Sequence, residues 1–207
     1  MSSANSKLYF YPLWLRIWHA VNAIGIILLI ITGISMQWGV EDSFIEFKTA
    51  IYIHNTSGIV LTINYLLFFV GNILTNNIRY YLIKPKGFFK RLFKQAQYYA
   101  FGMFKGMQSP FPLSEKRKFN PLQKLAYVVV MYLFVPFVII SGFALLFPEM
   151  IIEQIYSLSG VLLTAVAHSI AGFFISIFLV IHLYVASVGK SPAENFKSIL
   201  TGWHNIH

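Results

Sequence analysis

Four stretches of the chain, at 13–36, 49–74, 124–147 and 161–188, are each apolar over the ~20 residues that a helix needs to cross a bilayer, and none carries an unpaired acidic residue. Hydrocarbon offers no partner to a backbone N–H or C=O, so such a run must satisfy its own hydrogen bonds, as a helix does. The rest of the composition agrees. Charged residues make up 11% of the chain and apolar ones 57%, whereas a soluble protein carries about a quarter charged. The expected fold is an all-α integral membrane four-helix bundle, with residues 1–207 forming one domain. The first run is too long for the apolar core of a secretory leader and no A-x-A site follows it, so it is expected to stay as an anchor.

The net charge of +9 is sorted by loop. Between the second and third runs lie Arg79, Lys84, Lys86, Lys90, Arg91, Lys94, Lys105, Lys116, Arg117 and Lys118, and Lys7, Lys190 and Lys197 flank the bundle on the same side. The other two loops, WGVEDSFIEFK and PEMIIEQIYSLSG, hold Glu41, Asp42, Glu46, Glu149 and Glu153 against Lys48. The positive-inside rule then places both termini and the long basic segment in the cytoplasm. Charge arranged this way addresses the lipid bilayer, and no nucleic-acid partner is expected. Trp14, Trp18, Trp38 and Trp203 fall near the boundaries, where interfacial aromatics belong.

Two amphipathic segments are expected on the cytoplasmic surface. FFKRLFKQAQYYAFGMF brings Phe89, Leu92, Phe93, Ala96, Tyr99, Ala100 and Met103 to one helical face, with Lys90, Arg91 and Lys94 opposite. SPAENFKSILTGWH offers Ser191 as N-cap, Pro192 at the first helical position and Glu194 to complete a capping box, with Phe196, Leu200 and Trp203 on one stripe.

This topology gives each intramembrane histidine a depth. His19 and His182 fall near the cytoplasmic side, His54 and His168 near the outer side. His168 and His182 are fourteen residues apart, a rise of about 21 Å that returns to within roughly 40° of the same helix face. They cannot share one ion, but each can meet a partner at its own depth. Two stacked pairs suggest two b haems, each held through both axial positions. A small residue follows each histidine by one turn (Ala23, Gly58, Gly172 and Ala186), which permits close approach of a flat ring. Two nitrogens without a nearby Cys, Asp or Glu do not complete a zinc site. The other reading of these residues is a haem-free anchor or small transporter, its histidines serving packing or proton relay. His204 and His207 belong to the tail, where a solvated role is the default. Haem propionates need cations near the interfaces. Arg16, one turn before His19, suits the inner haem and Lys48 the outer one, unless Lys48 simply snorkels to the interface.

The chain has no cysteine, so it holds no iron–sulfur cluster or covalent c-type haem of its own. It shows no nicotinamide fingerprint, phosphate loop or nucleophile triad, so substrate chemistry is expected on another subunit.

RIWHAVNAIGI, IYIHNTSG, the H-x13-H-x-Y pattern ending in VIHLYVA, and KFNPLQKLAY resemble the dihaem cytochrome b subunits of membrane-bound formate dehydrogenase (its gamma subunit), thiosulfate reductase and nickel–iron hydrogenase. The resemblance covers most of the chain. It implies that His19 and His182 ligate the inner haem iron and His54 and His168 the outer one. It also implies a menaquinone or ubiquinone site beside the inner haem, touched by His182 and by Asn120, which otherwise reads as the cap of the third helix. Those formate dehydrogenase subunits have glycine two residues after the asparagine, where this chain has Leu122. Implied too are an iron–sulfur, ferredoxin-like subunit and a catalytic subunit as partners, and the cytoplasmic (inner) membrane of a bacterium or archaeon as location. A stand-alone transmembrane haem reductase is the alternative within this chemistry.

Overall fold

Each apolar run is a helix in the computed structural model, which describes residues 7–37, 45–188 and 193–205. The spans are α1 (Leu13–Gln37), α2 (Phe47–Leu74), a third made of α4 (Pro121–Val129) and α5 (Val135–Leu146), and α6 (Gly160–Ser187). The helix α1 packs on α2 and α5 on α6, while α1 also meets α6 and α2 meets α5, closing the bundle. Its outer surface is apolar, with Ile24, Ile63, Ile140 and Val180 among the exposed side chains. Its interior holds Thr32, Ser35, Ser57, Asn64 and Ser141, all buried. That inversion of the soluble pattern follows from hydrocarbon outside and polar contacts between helices inside.

The third span starts at Pro121, three residues before the expected start, because Asn120 caps it. Its Oδ1 accepts from the Gln123 amide at 2.9 Å and the Gln123 Oε1 accepts from the Asn120 amide at 3.1 Å, a reciprocal box with proline in the first turn. Between α4 and α5 the helix widens into a π turn, Val130–Phe134, ahead of Pro136. Proline has no N–H to give and its ring crowds the preceding turn. The Val135 amide reaches back to the Val130 carbonyl, and the Met131 carbonyl that this frees accepts from the Tyr65 hydroxyl of α2 at 3.0 Å.

Basic residues gather at one end of the bundle and Glu46, Glu149 and Glu153 at the other, and these serve below as the basic and acidic ends. At the basic end lies the aromatic core: Leu15, Phe68 and Tyr81 buried, with Trp14, Trp18, Phe119, Tyr127 and Tyr132 packed around them. There the N-terminal strand β1 (Lys7–Tyr9) pairs antiparallel with the C-terminal strand, residues Trp203–Asn205. The Gly202 carbonyl accepts from the Phe10 and Tyr11 amides at 2.9 and 3.2 Å, and Gly202 has φ +89°, with no room for a Cβ beside the Tyr11 carbonyl. The tail helix α7 (Glu194–Thr201) therefore ends before Trp203, which sits in the strand and not on the expected helical stripe. The expected cap Ser191 and Pro192 lie outside the described residues, as do Trp38, Lys190 and His207; the described helix begins at Glu194 behind Ala193.

The long basic segment forms α3 (Phe88–Gln97), continued by a π turn at Tyr98–Gly102 and a short 3-10 turn at Met103–Lys105. Its expected apolar face divides in two. Leu92, Tyr99 and Met103 are half-buried where α3 meets α4, while Phe89 and Phe93 stay exposed and the π turn brings Phe101 and Phe104 out with them. A helix lying at an interface needs both faces, one for the protein and one for lipid.

The loop from α5 to α6 turns through a two-residue hairpin, β2 (Gln154–Ile155) with β3 (Leu158–Ser159), and enters α6 at Gly160. A Cβ on Gly160 would lie 1.8 Å from the Ile152 carbonyl oxygen, a backbone atom that cannot step aside cheaply. Gly160→Ala is expected to destabilise the protein by about 1–3 kcal/mol, as overpacking does. A thermal-shift measurement in detergent checks this, and a midpoint equal to the parent's would contradict it.

Candidate metal centres

The bundle brings the four intramembrane histidines together as two pairs. The ring centroids of His19 and His182 are 6.2 Å apart with planes at 50°, and those of His54 and His168 are 6.3 Å apart with planes at 67°. All four rings are half-buried. An iron held between two imidazole nitrogens at about 2 Å each, with ring centres about 1.1 Å behind the nitrogens, sets the centroids roughly 6.2 Å apart. Both pairs have that spacing. Each pair would hold the iron of a haem between its two rings, and that haem would supply one-electron chemistry.

The pair nearer the acidic end is assembled from two matching halves. In the first, the Thr32 hydroxyl of α1 lies 2.9 Å from His54 Nδ1, and a Cβ on Gly33 would sit 3.6 Å from the His54 Cε1. In the second, the Ser141 hydroxyl of α5 lies 2.8 Å from His168 Nδ1, and a Cβ on Gly142 would sit 3.3 Å from the His168 Cε1. Each histidine is followed one turn later by a glycine, Gly58 or Gly172, whose added Cβ would meet nothing within 4 Å. The carbonyl of each accepts from a hydroxyl one further turn on, Thr62 at 2.8 Å and Ser176 at 2.9 Å. The repeated signal is a Thr-Gly or Ser-Gly pair on one helix and H-x3-G-x3-[ST] on the next. The glycines after the histidines are legible in the sequence, but the dipeptides that grip the rings are not, since nothing local marks which helix will face them.

Each hydroxyl has one proton, and each gives it to a carbonyl of its own helix: Thr32 to Leu28 at 2.7 Å, Ser141 to Phe137 at 2.7 Å. Toward the imidazoles these oxygens can only accept. His54 and His168 therefore carry the proton on Nδ1 and present the Nε2 lone pair, the form a metal takes.

The pair nearer the basic end is held differently. Phe178 stacks on His182 at 5.7 Å, and the Tyr127 hydroxyl lies 3.5 Å from His182 Nδ1. No hydrogen bond reaches His19 from the described residues. Arg16, one turn away, donates to the Leu200 carbonyl, and its buried Nε has no partner among the described residues. Lys48 is exposed in the first turn of α2. Asn120 is buried; beyond its cap it donates from Nδ2 to the Tyr99 hydroxyl at 2.8 Å. Tyr99 is itself buried enough that its pKa is raised. In the tail, His204 Nδ1 lies 3.0 Å from the Ser198 hydroxyl.

Residues 10–202 match the family model of prokaryotic cytochrome b561. The chain belongs to that family. It is 33% identical over 199 residues to the putative cytochrome YdhU of Escherichia coli, across 96% of this chain and 75% of that relative. It is 31% identical over 152 residues to a probable Ni/Fe-hydrogenase B-type cytochrome subunit of Bradyrhizobium diazoefficiens, across 66% of this chain and 57% of that relative. The protein is thus a prokaryotic membrane b-type cytochrome, which binds b-type haem and carries electrons.

One cation of the long basic segment is buried near the basic end. Lys118 is 4% exposed, its Nζ 3.4 Å from Asn77 Oδ1 and over the rings of Tyr11 and Tyr80 at 4.8 and 5.3 Å. Burial lowers its pKa to about 8. Below pH 8 the cost of the buried charge is fully present. Between pH 8 and the ordinary lysine range the folded chain has released a proton that the unfolded chain still binds, so stability rises with pH. Lys118→Met is expected to raise the thermal midpoint at pH 7, with the gain shrinking above pH 8 and gone above the ordinary lysine pKa. Thermal scans of both proteins across that range test it; a gain independent of pH would show that packing, not charge, is responsible.

Proposed function

We propose that this cytochrome holds two b haems, one between His54 and His168 and one between His19 and His182, and relays electrons across the membrane between an iron–sulfur subunit and the quinone pool. The observation that carries the reading is the pair of histidine pairs, each with the spacing of a doubly ligated iron and each at its own level of the bundle. Bound haem supplies the one-electron chemistry. At the His54 and His168 pair the chain supplies rings held in one tautomer and glycine space beside them; at the His19 and His182 pair it supplies a stacked Phe178 and the Tyr127 hydroxyl. Arg16, with its unpartnered Nε, suits an inner propionate, and Lys48 an outer one.

Residues 1–207 act as one domain in the inner membrane, both termini cytoplasmic, as the charge asymmetry favours. The iron–sulfur subunit and the catalytic subunit behind it, of formate dehydrogenase, thiosulfate or polysulfide reductase, or hydrogenase type, meet the acidic end. Menaquinone or ubiquinone meets the basic end beside His182 and Asn120. Supporting a polar ligand there are the buried atoms without protein partners among the described residues, Trp18 Nε1, Asn72 Nδ2, Gln95 Oε1 and Tyr132 Oη, which lie toward that end. Lys124, whose Nζ donates to the Leu82 carbonyl at 3.1 Å, and Lys118 add positive potential where a quinone oxygen gains charge.

Redox titration of histidine variants tests the two centres. His54→Ala or His168→Ala is expected to remove one spectral component, His19→Ala or His182→Ala the other; loss of the same component in all four would refute two separate sites. Asn120→Asp keeps an oxygen to cap α4 but loses the amide donor. With haem content unchanged, it is expected to lower quinone turnover and weaken inhibition by a quinone analogue. Parent-like kinetics would leave Asn120 as a cap alone.

A further inference from the structure

The two ring pairs differ in what stands behind them. Near the acidic end both imidazoles donate from Nδ1 to a hydroxyl oxygen whose own proton is already committed, Thr32 to Leu28 and Ser141 to Phe137. Near the basic end His182 has only the 3.5 Å approach of Tyr127, at the limit of a hydrogen bond, and no hydrogen bond reaches His19 from the described residues. An acceptor on Nδ1–H draws electron density toward the other nitrogen and makes Nε2 a stronger base. A stronger ligand favours the oxidised metal, which carries one more positive charge. From these contacts we infer that Thr32 and Ser141 make the acidic-end haem the lower-potential centre of the two, so that electrons run downhill from the acidic end to the basic end. This rests on the two-haem reading above and adds the order of potentials and the residues that set it.

A second observation acts with the same sign. Glu46, Glu149 and Glu153 surround the acidic end against Lys48, which stabilises the more positive, oxidised state there. Arg16, Lys84, Arg91, Arg117, Lys118 and Lys124 crowd the basic end and favour the reduced state of a centre near them. The hydroxyl contacts are also specific to one level. The Thr-Gly and Ser-Gly dipeptides recur on the two helices that face His54 and His168, whereas among the described residues no such pair of hydroxyls faces His19 and His182.

The experiment is a spectroelectrochemical titration of the purified full-length cytochrome, with paramagnetic resonance of the oxidised haems. His54→Ala assigns the acidic-end component by its disappearance. In the parent that component is expected to titrate at the lower potential. Thr32→Val and Ser141→Ala are each expected to raise it, a tenfold easier reduction reading as about 59 mV for one electron, and to leave the basic-end component in place. Thr32→Ser and Ser141→Thr are expected to restore it, which a mere packing role would not predict. Two components in the reverse order, or retained haem with an unmoved potential in both Thr32→Val and Ser141→Ala, would overturn the inference and leave the two-haem reading intact. One component or none in the parent would overturn that reading instead. Should either variant shed its haem, the order in the parent decides.

Discussion

A hydroxyl has one proton, and in a bilayer there is no water at mid-depth to lend another. Much of this structure depends on where those single protons go. Thr32, Ser141, Thr62 and Ser176 all give theirs to carbonyls of their own helices, which leaves their oxygens able only to accept. For Thr32 and Ser141 the consequence passes to the histidines, whose tautomer is fixed before any cofactor is considered. The same accounting explains the third span. Pro136 withdraws a donor, the helix widens at Val130–Phe134, and the Tyr65 hydroxyl makes good the Met131 carbonyl.

How much of this was legible in the sequence depends on the range of the interaction. The four spans and the depth of each histidine follow from local apolarity and loop charge, and the pairing of His19 with His182 and His54 with His168 follows from depth alone. The helix boundaries moved by three residues or fewer, the largest shift lying at the Asn120 cap, and by two at the start of α2, where no side-chain cap is made. What escaped was non-local. The strand pairing of residues 7–9 with 203–205 joins opposite ends of the chain over three residues, too few to show a period. The burial of Lys118 depends on Tyr11 and Tyr80 arriving from distant segments. The grip of Thr32 and Ser141 depends on how two helices rotate about their axes, and a serine in an apolar run looks the same whether it faces lipid or a ring.

The division of labour between the two ends also has a physical basis. The acidic-end pair is symmetric, its two halves built from α1 with α2 and from α5 with α6, and each half sets a committed hydroxyl and a neighbouring glycine against its ring. Such a site suits a centre that only passes electrons, where little need move. The basic end is assembled from loops, α3, the paired strands at 7–9 and 203–205 and an aromatic core, and several of its buried polar atoms have no partner among the described residues. Unpaired polar capacity is costly in a dry interior and persists where a ligand or solvent can use it. Under the proposed function that is the end at which quinone and protons enter.

Charge along the bundle axis then does two things at once. Lysines and arginines at one end hold the chain in its orientation, because moving them across hydrocarbon is prohibitive. The same cations raise the electron affinity of whatever redox centre lies beneath them, and the glutamates opposite lower it. If the basic end faces the cytoplasm, an electron moving toward it climbs about 2.3 kcal/mol for every 100 mV of membrane potential. Two centres of equal potential would let that climb halt transfer under load. Under the two-haem reading, a difference built from Thr32, Ser141 and the end charges would offset part of it, and the charge that favours one direction of insertion would also favour one direction of electron transfer.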